Sequence, residues 1–156
     1  MAHHGVGSRI RYEVLMQLSK NQRSHKYTLQ EDVHLRIGIK PPADIVTPDV
    51  SLLRSGRLII KKGYQWNGPK CRGFWCKNAV RGALIHHVLC QLMREQHLPD
   101  TCKSVADKTL MLQCIDDGTP SIVARLLYSL AKRENIVPVK HNTFEACDTD
   151  INRSNC

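Results

Sequence analysis

The sequence predicts an α+β fold: a β-rich N-terminal half followed by three helices packed on the sheet. Three observations carry that expectation. Apolar residues alternate with polar ones from Val33 to Ile37, the period of a half-buried strand. From Asn78 the apolar spacing becomes helical and stays so to about Lys132. Glycine and proline stand where the period breaks, at Gly38, Pro41, Pro42, Pro99, Gly118 and Pro120.

The chain has 156 residues, enough for one domain with a modest core. Hydrophobic residues make up 42% and charged residues 24%, near the globular average, which excludes wholesale disorder. The expected organisation is a flexible N-terminus over 1–8, a single α+β domain over 9–138 and a polar C-terminal tail over 139–156. No run of eighteen apolar residues exists, so no membrane span is expected. The first eight residues lack the apolar stretch of a secretory signal, so synthesis in a cytoplasm is expected.

Arg9 to Leu18 mixes β-branched, aromatic and polar residues and is expected as a first strand, with a turn at Asn21 to Ser24. Val33, Leu35 and Ile37 alternate with His34 and Arg36, giving the next strand. Asp44 to Arg54 is ambiguous. Gly56 to Tyr64 is bounded by glycines and reads as another strand.

Between Asn78 and Glu95 one stripe runs Ala79, Ala83, His86, Cys90, Met93, and a second runs Val80, Leu84, Val88, Leu92. Together they predict a helix buried on most sides, ended by His97-Leu98-Pro99. Asp100 is the expected cap of a second helix running to about Ile115, with Val105, Ala106, Leu110, Met111 and Cys114 on its apolar face. Asp107 shares that face. Thr119-Pro120 has the form of a cap followed by a first-turn proline. The third helix then places Ile122, Val123, Leu126, Leu127 and Leu130 on one side. The expected core is Val33, Leu35, Leu58, Ile60, Leu84, Val88, Leu92, Leu110, Leu126, Leu127 and Leu130. Trp66 is expected to wedge between loop and helices, its indole N–H reaching a carbonyl.

Lys and Arg total 23 against 14 Asp and Glu, a formal net charge of +9. Such a surplus favours polyanions, but no arginine-rich arm or nucleic-acid motif is present, so any nucleic-acid binding is expected to be non-specific. Seven cysteines, an odd number without a signal peptide, argue against a disulfide framework. Most are expected as buried thiols. The rival reading is a structural zinc held by Cys71, Cys76, His86 or His87, and Cys90, although no C-x-x-C knuckle is present.

The chemistry-bearing residues fall in a fixed order. A tight loop, Tyr64-Gln65-Trp66-Asn67-Gly68-Pro69-Lys70, comes first. The helix carrying His86-His87 follows, and then the helix carrying Asp107. A histidine and a carboxylate on the inner stripes of adjacent helices can meet. The carboxylate then fixes the ring tautomer and the other nitrogen can take a proton from water. The same link can be purely structural, because a buried Asp is costly unless paired.

Trp66-Asn67-Gly68-Pro69-Lys70, Ile85-His86-His87-Val88-Leu89-Cys90 and Ala106-Asp107 resemble an uncharacterised phage and prophage family with a W-[DN]-G-[PA]-S loop, an I-H-D-x-L-Y-x-L helix and a following A-D helix. The resemblance covers Gly63 to about Lys132, less than half the chain. It implies a phage origin and a β-rich front before three helices. More distantly, the layout is similar to the phospholipase fold of parvovirus capsids and secreted venoms. There a Y-x-G-P-G calcium loop precedes an H-D-x-x-Y helix, and an A-D on the next helix supports the histidine. By that similarity Tyr64, Trp66, Asn67 and Gly68 would form the cation loop, His86 the general base and Asp107 its orienting carboxylate. His87 stands where the calcium-binding Asp belongs, Cys90 where the tyrosine belongs, and Lys70 in place of a small loop residue. Each change weakens a site for calcium, which prefers oxygen ligands.

The resulting expectation is a non-enzymatic bacteriophage structural or accessory protein, a virion tail or neck component made in the host cytoplasm. It would assemble with other phage structural proteins and carry no resident cofactor. The alternatives are a His86/Asp107 hydrolase acting on lipid or cell-wall esters and a zinc-stabilised or nucleic-acid-binding module.

Overall fold

The computed structural model describes residues 17–18, 27–69 and 76–139. The expected flexible N-terminus, most of the first strand, the turn at 21–24 and the polar tail from 140 onward lie outside the described residues.

Seven short strands precede three helices. Strands β1 (Gln17–Leu18), β2 (Tyr27–Thr28) and β7 (Gln65–Trp66) form one antiparallel sheet in the order β1-β2-β7. Strands β3 (Val33–Arg36), β4 (Ile45–Val46), β5 (Val50–Leu52) and β6 (Arg57–Ile60) form the other, in the order β3-β6-β5-β4. The ambiguous stretch at 44–54 therefore supplies two strands. Alternation sets the faces: Val33, Leu58 and Ile60 point into the core, while His34, Arg36 and Arg57 point to solvent. The β5–β6 turn closes through the Leu53 carbonyl accepting the Gly56 N–H. Gly56 adopts a positive φ of 80°, where a Cβ would stand 2.7 Å from the Ile37 carbonyl oxygen.

Helix α1 (Cys76–Arg94) is the centre of the molecule. Its residues Leu84, Ile85, Val88, Leu89, Leu92 and Met93 are essentially inaccessible, and they share one core with Leu52, Leu58, Ile60 and Trp66 of the sheets. Burying each such side chain contributes about 1.5–3 kcal/mol. A short 3-10 turn (Asp100–Cys102) leads into helix α2 (Lys103–Asp116), and helix α3 (Ser121–Lys132) follows. Gly82 lets α1 and α2 approach closely, since a Cβ there would lie 3.0 Å from the Leu110 carbonyl oxygen.

The α+β order matches the sequence expectation, and the main contact of α3 is with α2. It lies on α2, in a second small core of Ala79, Leu110, Cys114, Ala124 and Ala131. Its buried side is Ala124 and Ala131 with half-buried Leu127, whereas Ile122, Leu126 and Leu130 are 83%, 58% and 50% exposed. Leu126 and Leu130 are therefore not core residues. The leucine stripe suggested the opposite face; small residues won the inner position because they allow closer helix approach. Leu35 and Leu127 are half-buried and the other expected core residues are buried. The two anticipated caps are also corrected. Asp100 begins the 3-10 turn and Cys102 precedes α2 without a side-chain cap. Thr119 is buried one residue before the α3 cap position, its Oγ1 unpartnered among the described residues.

Candidate functional site

The two helical stripes that carry His86 and Asp107 face each other. His86 Nε2 lies 2.8 Å from Asp107 Oδ1, and both side chains are nearly excluded from solvent. With the carboxylate as acceptor, Nε2–H is the donor and Nδ1 is left as the ring's acceptor. Burial lowers the His86 pKa more than the Asp107 carboxylate raises it, so the imidazole is held neutral.

Lys103 completes the cluster, and sequence reasoning missed it. It stands one turn before Asp107 on α2, and Nζ donates to the same carboxylate oxygen and, at 2.7 Å, to the Ala131 carbonyl at the end of α3. Its i, i+4 spacing from Asp107 was a usable signal. One carboxylate thereby joins α1, α2 and α3. Cys90 lies one turn after His86, with Sγ 3.7 Å from Nε2 and 3.9 Å from Nδ1. The sulfur is almost equally far from the two ring nitrogens. Burial pushes the Cys90 thiol up to about 11, so it is not a primed nucleophile.

The expected cation loop is built differently from a metal loop. Tyr64 is buried, and its hydroxyl donates to Gln91 Oε1 of α1 at 2.6 Å. Trp66 is buried against Tyr27, ring centroids 5.9 Å apart, and its indole N–H finds no carbonyl among the described residues. Asn67 is exposed. Gly68 has a φ of 78°, and the Tyr27 ring occupies the space its Cβ would need. His87 leaves α1 towards this loop and meets the rings of Trp66 at 5.9 Å and Tyr64 at 6.3 Å. An aromatic cluster thus occupies the place where the phospholipase-like layout would need a metal-binding carboxylate.

Among the described residues no group of three or more His, Cys, Asp and Glu side chains is placed to hold a metal ion. Of the zinc alternative, His87 and Cys90 lie on α1, while Cys71 and the side chain of Cys76 lie outside the described residues. No helix is long and apolar enough to cross a membrane among the described residues.

His86 and Cys90 open onto a groove of about 570 Å³ between α1 and α3. Its walls are mainly apolar, with Trp66 and Pro69 at one end, Leu126, Leu127 and Leu130 along α3, and Arg94 and Glu134 at the other end. That volume falls in the range of small-molecule pockets.

No family model, curated protein or solved structure matches the chain.

Proposed function

We propose that the chain is a non-enzymatic bacteriophage structural or accessory protein, a tail or neck component of the virion that assembles with other phage structural proteins. The observation that carries this reading is the closure of the His86–Asp107 pair by Lys103. A carboxylate that orients a working base must strengthen its hold as the imidazole gains charge. Here the ammonium of Lys103 already neutralises Asp107 at the same oxygen, and it lowers the basicity of His86. The cluster behaves as a brace of three helices. The aromatic contacts of His87 support the same reading, since they leave the loop without the carboxylate a calcium site needs. Phage origin rests on the resemblance at Trp66 to Pro69, Ile85-His86 and Ala106-Asp107. The test is quantitative mass spectrometry of purified particles: a stoichiometric copy number supports the reading, and absence from particles overturns it.

One observation favours a second reading. The neutral imidazole opens onto an apolar groove, as a hydrolase of lipid esters would require. Ester hydrolysis that vanishes in His86→Ala, with the melting temperature kept, would establish it against the first.

A further inference from the structure

We propose that one corner of the four-stranded sheet is a sequence-independent docking surface for the phosphate backbone of duplex DNA. Arg36 of β3 and Arg57 of β6 are directly opposite each other in the antiparallel register. Opposite residues share a face, with Cβ atoms about 4.5–5.5 Å apart. Both are exposed, so two arginine side chains leave the outer face of the sheet side by side. Like charges placed so are destabilising. A fold that keeps such a pair gains from it when an anion bridges it.

The surroundings extend the charge. The β5–β6 turn carries exposed Arg54, two residues before Gly56 and three before Arg57. The aliphatic stem of Lys40 lies along the same turn, its Cγ 3.5 Å from where a Gly56 Cβ would be. No carboxylate pairs with the side chains of Arg36, Lys40, Arg54 or Arg57 among the described residues. The Asp44 carboxylate accepts the Arg54 backbone N–H at 2.7 Å, and so fixes the turn. The acids Glu31, Asp32 and Asp49 lie at the other end of the same sheet, with Asp32 on the Lys62 N–H and the Asp49 carbonyl on the Lys61 N–H. The sheet is therefore electrically lopsided, with an unpaired cationic corner.

The partner follows from what the corner lacks. Single strands are held by aromatic side chains that stack on bases. The described aromatic residues are elsewhere: Tyr27, Tyr64 and Trp66 in and beside the three-stranded sheet, and Tyr128 on α3. A lipid surface is held by apolar side chains inserted beside the cations. The large exposed apolar residue of this sheet, Val46, sits on the edge strand β4, at the far side of the sheet from Arg36. A duplex needs only its phosphates met.

The test is fluorescence anisotropy of a labelled random-sequence duplex with the full chain over a salt series. Four phosphate contacts predict an affinity loss of about a hundredfold between 50 and 200 mM salt. Arg36→Ala with Arg57→Ala should flatten the log–log slope by about two and weaken binding at least tenfold. Lys62→Ala with Lys108→Ala, which removes the same charge from other exposed positions, should leave binding within about twofold. Circular dichroism should show the arginine variant folded, with a melting temperature no lower than the parent because a like-charge pair has gone. Absence of duplex binding overturns the proposal. So do equal losses in the two double variants, which would mean bulk charge alone, or arginine-dependent binding to anionic vesicles without binding to DNA.

Discussion

Asp107 Oδ1 accepts the Nε2–H of His86 at 2.8 Å while the ammonium of Lys103 donates to the same oxygen. The carboxylate is 3% exposed and Lys103 is 16% exposed, so neither charge has much water to fall back on. Asp107→Ala leaves a nearly buried ammonium without its counter-ion and should destabilise by about 3–5 kcal/mol. The double change Lys103→Met with Asp107→Ala should cost less than the single one. Denaturant midpoints for the four members of that cycle check the coupling.

The imidazole gives the fold a pH signature. Burial holds the folded pKa of His86 below its ordinary value. The unfolded chain therefore binds the proton more readily. The stability contributed by the neutral ring is fully present above the unfolded pKa of about 6.5, and it is lost as pH falls through that value towards the folded pKa. Urea midpoints between pH 8 and 5 should fall more steeply for the parent chain than for His86→Gln, which keeps a donor to Asp107 but does not titrate.

Cysteine reactivity should divide by burial. Burial pushes the thiols of Cys90 and Cys114 up to about 11, and both are buried, Cys90 with only a sliver of surface on the groove. Cys102, the last residue of the 3-10 turn, is half-buried. Under native conditions at pH 8, alkylation mapped by mass spectrometry should label Cys102 well before Cys90 and Cys114. Labelling of Cys90 at a free-thiol rate would mean that α1 and α3 separate beyond the groove already between them.

Helix packing can be tested at Gly82, where the backbones of α1 and α2 come together. Gly82→Ala gains helix propensity of about 1 kcal/mol but sets a methyl 3.0 Å from the Leu110 carbonyl and 3.1 Å from Cys114 Sγ. Overpacking should dominate, with a net loss of about 1–2 kcal/mol in the denaturation midpoint. By contrast Leu126→Gln, on the exposed side of α3, should change stability by no more than about 0.5 kcal/mol. Leu84→Ala, in the central helix, should cost about 2–5 kcal/mol.

Much of this architecture was legible because period and spacing are local. The alternation at Val33 to Ile37 set β3, and the double stripe from Ala79 to Met93 set α1. The inner-face positions of Asp107 and of His86, each on its own helix, followed from helical geometry; their meeting is tertiary. Lys103 was missed because its role depends on reaching across to the carbonyl of Ala131, 28 positions along the chain. The β7 strand inside the Trp66 loop was missed because two residues carry no period; only pairing with Tyr27-Thr28 makes them a strand.

By itself the sequence determined the α+β order, the buried central helix and the inward placement of the imidazole and of the carboxylate, since each depends on residue type and repeat distance. Only the tertiary structure decided which side of α3 is covered. An amphipathic stripe states that one face differs from the other, not which neighbour will come. Alanines at 124 and 131 let α3 lie close on α2, and the leucines at 126 and 130 were left to wall an open groove. Tertiary structure likewise set Arg36 against Arg57, because strand register is fixed by the partner strand and its turn rather than by either segment alone.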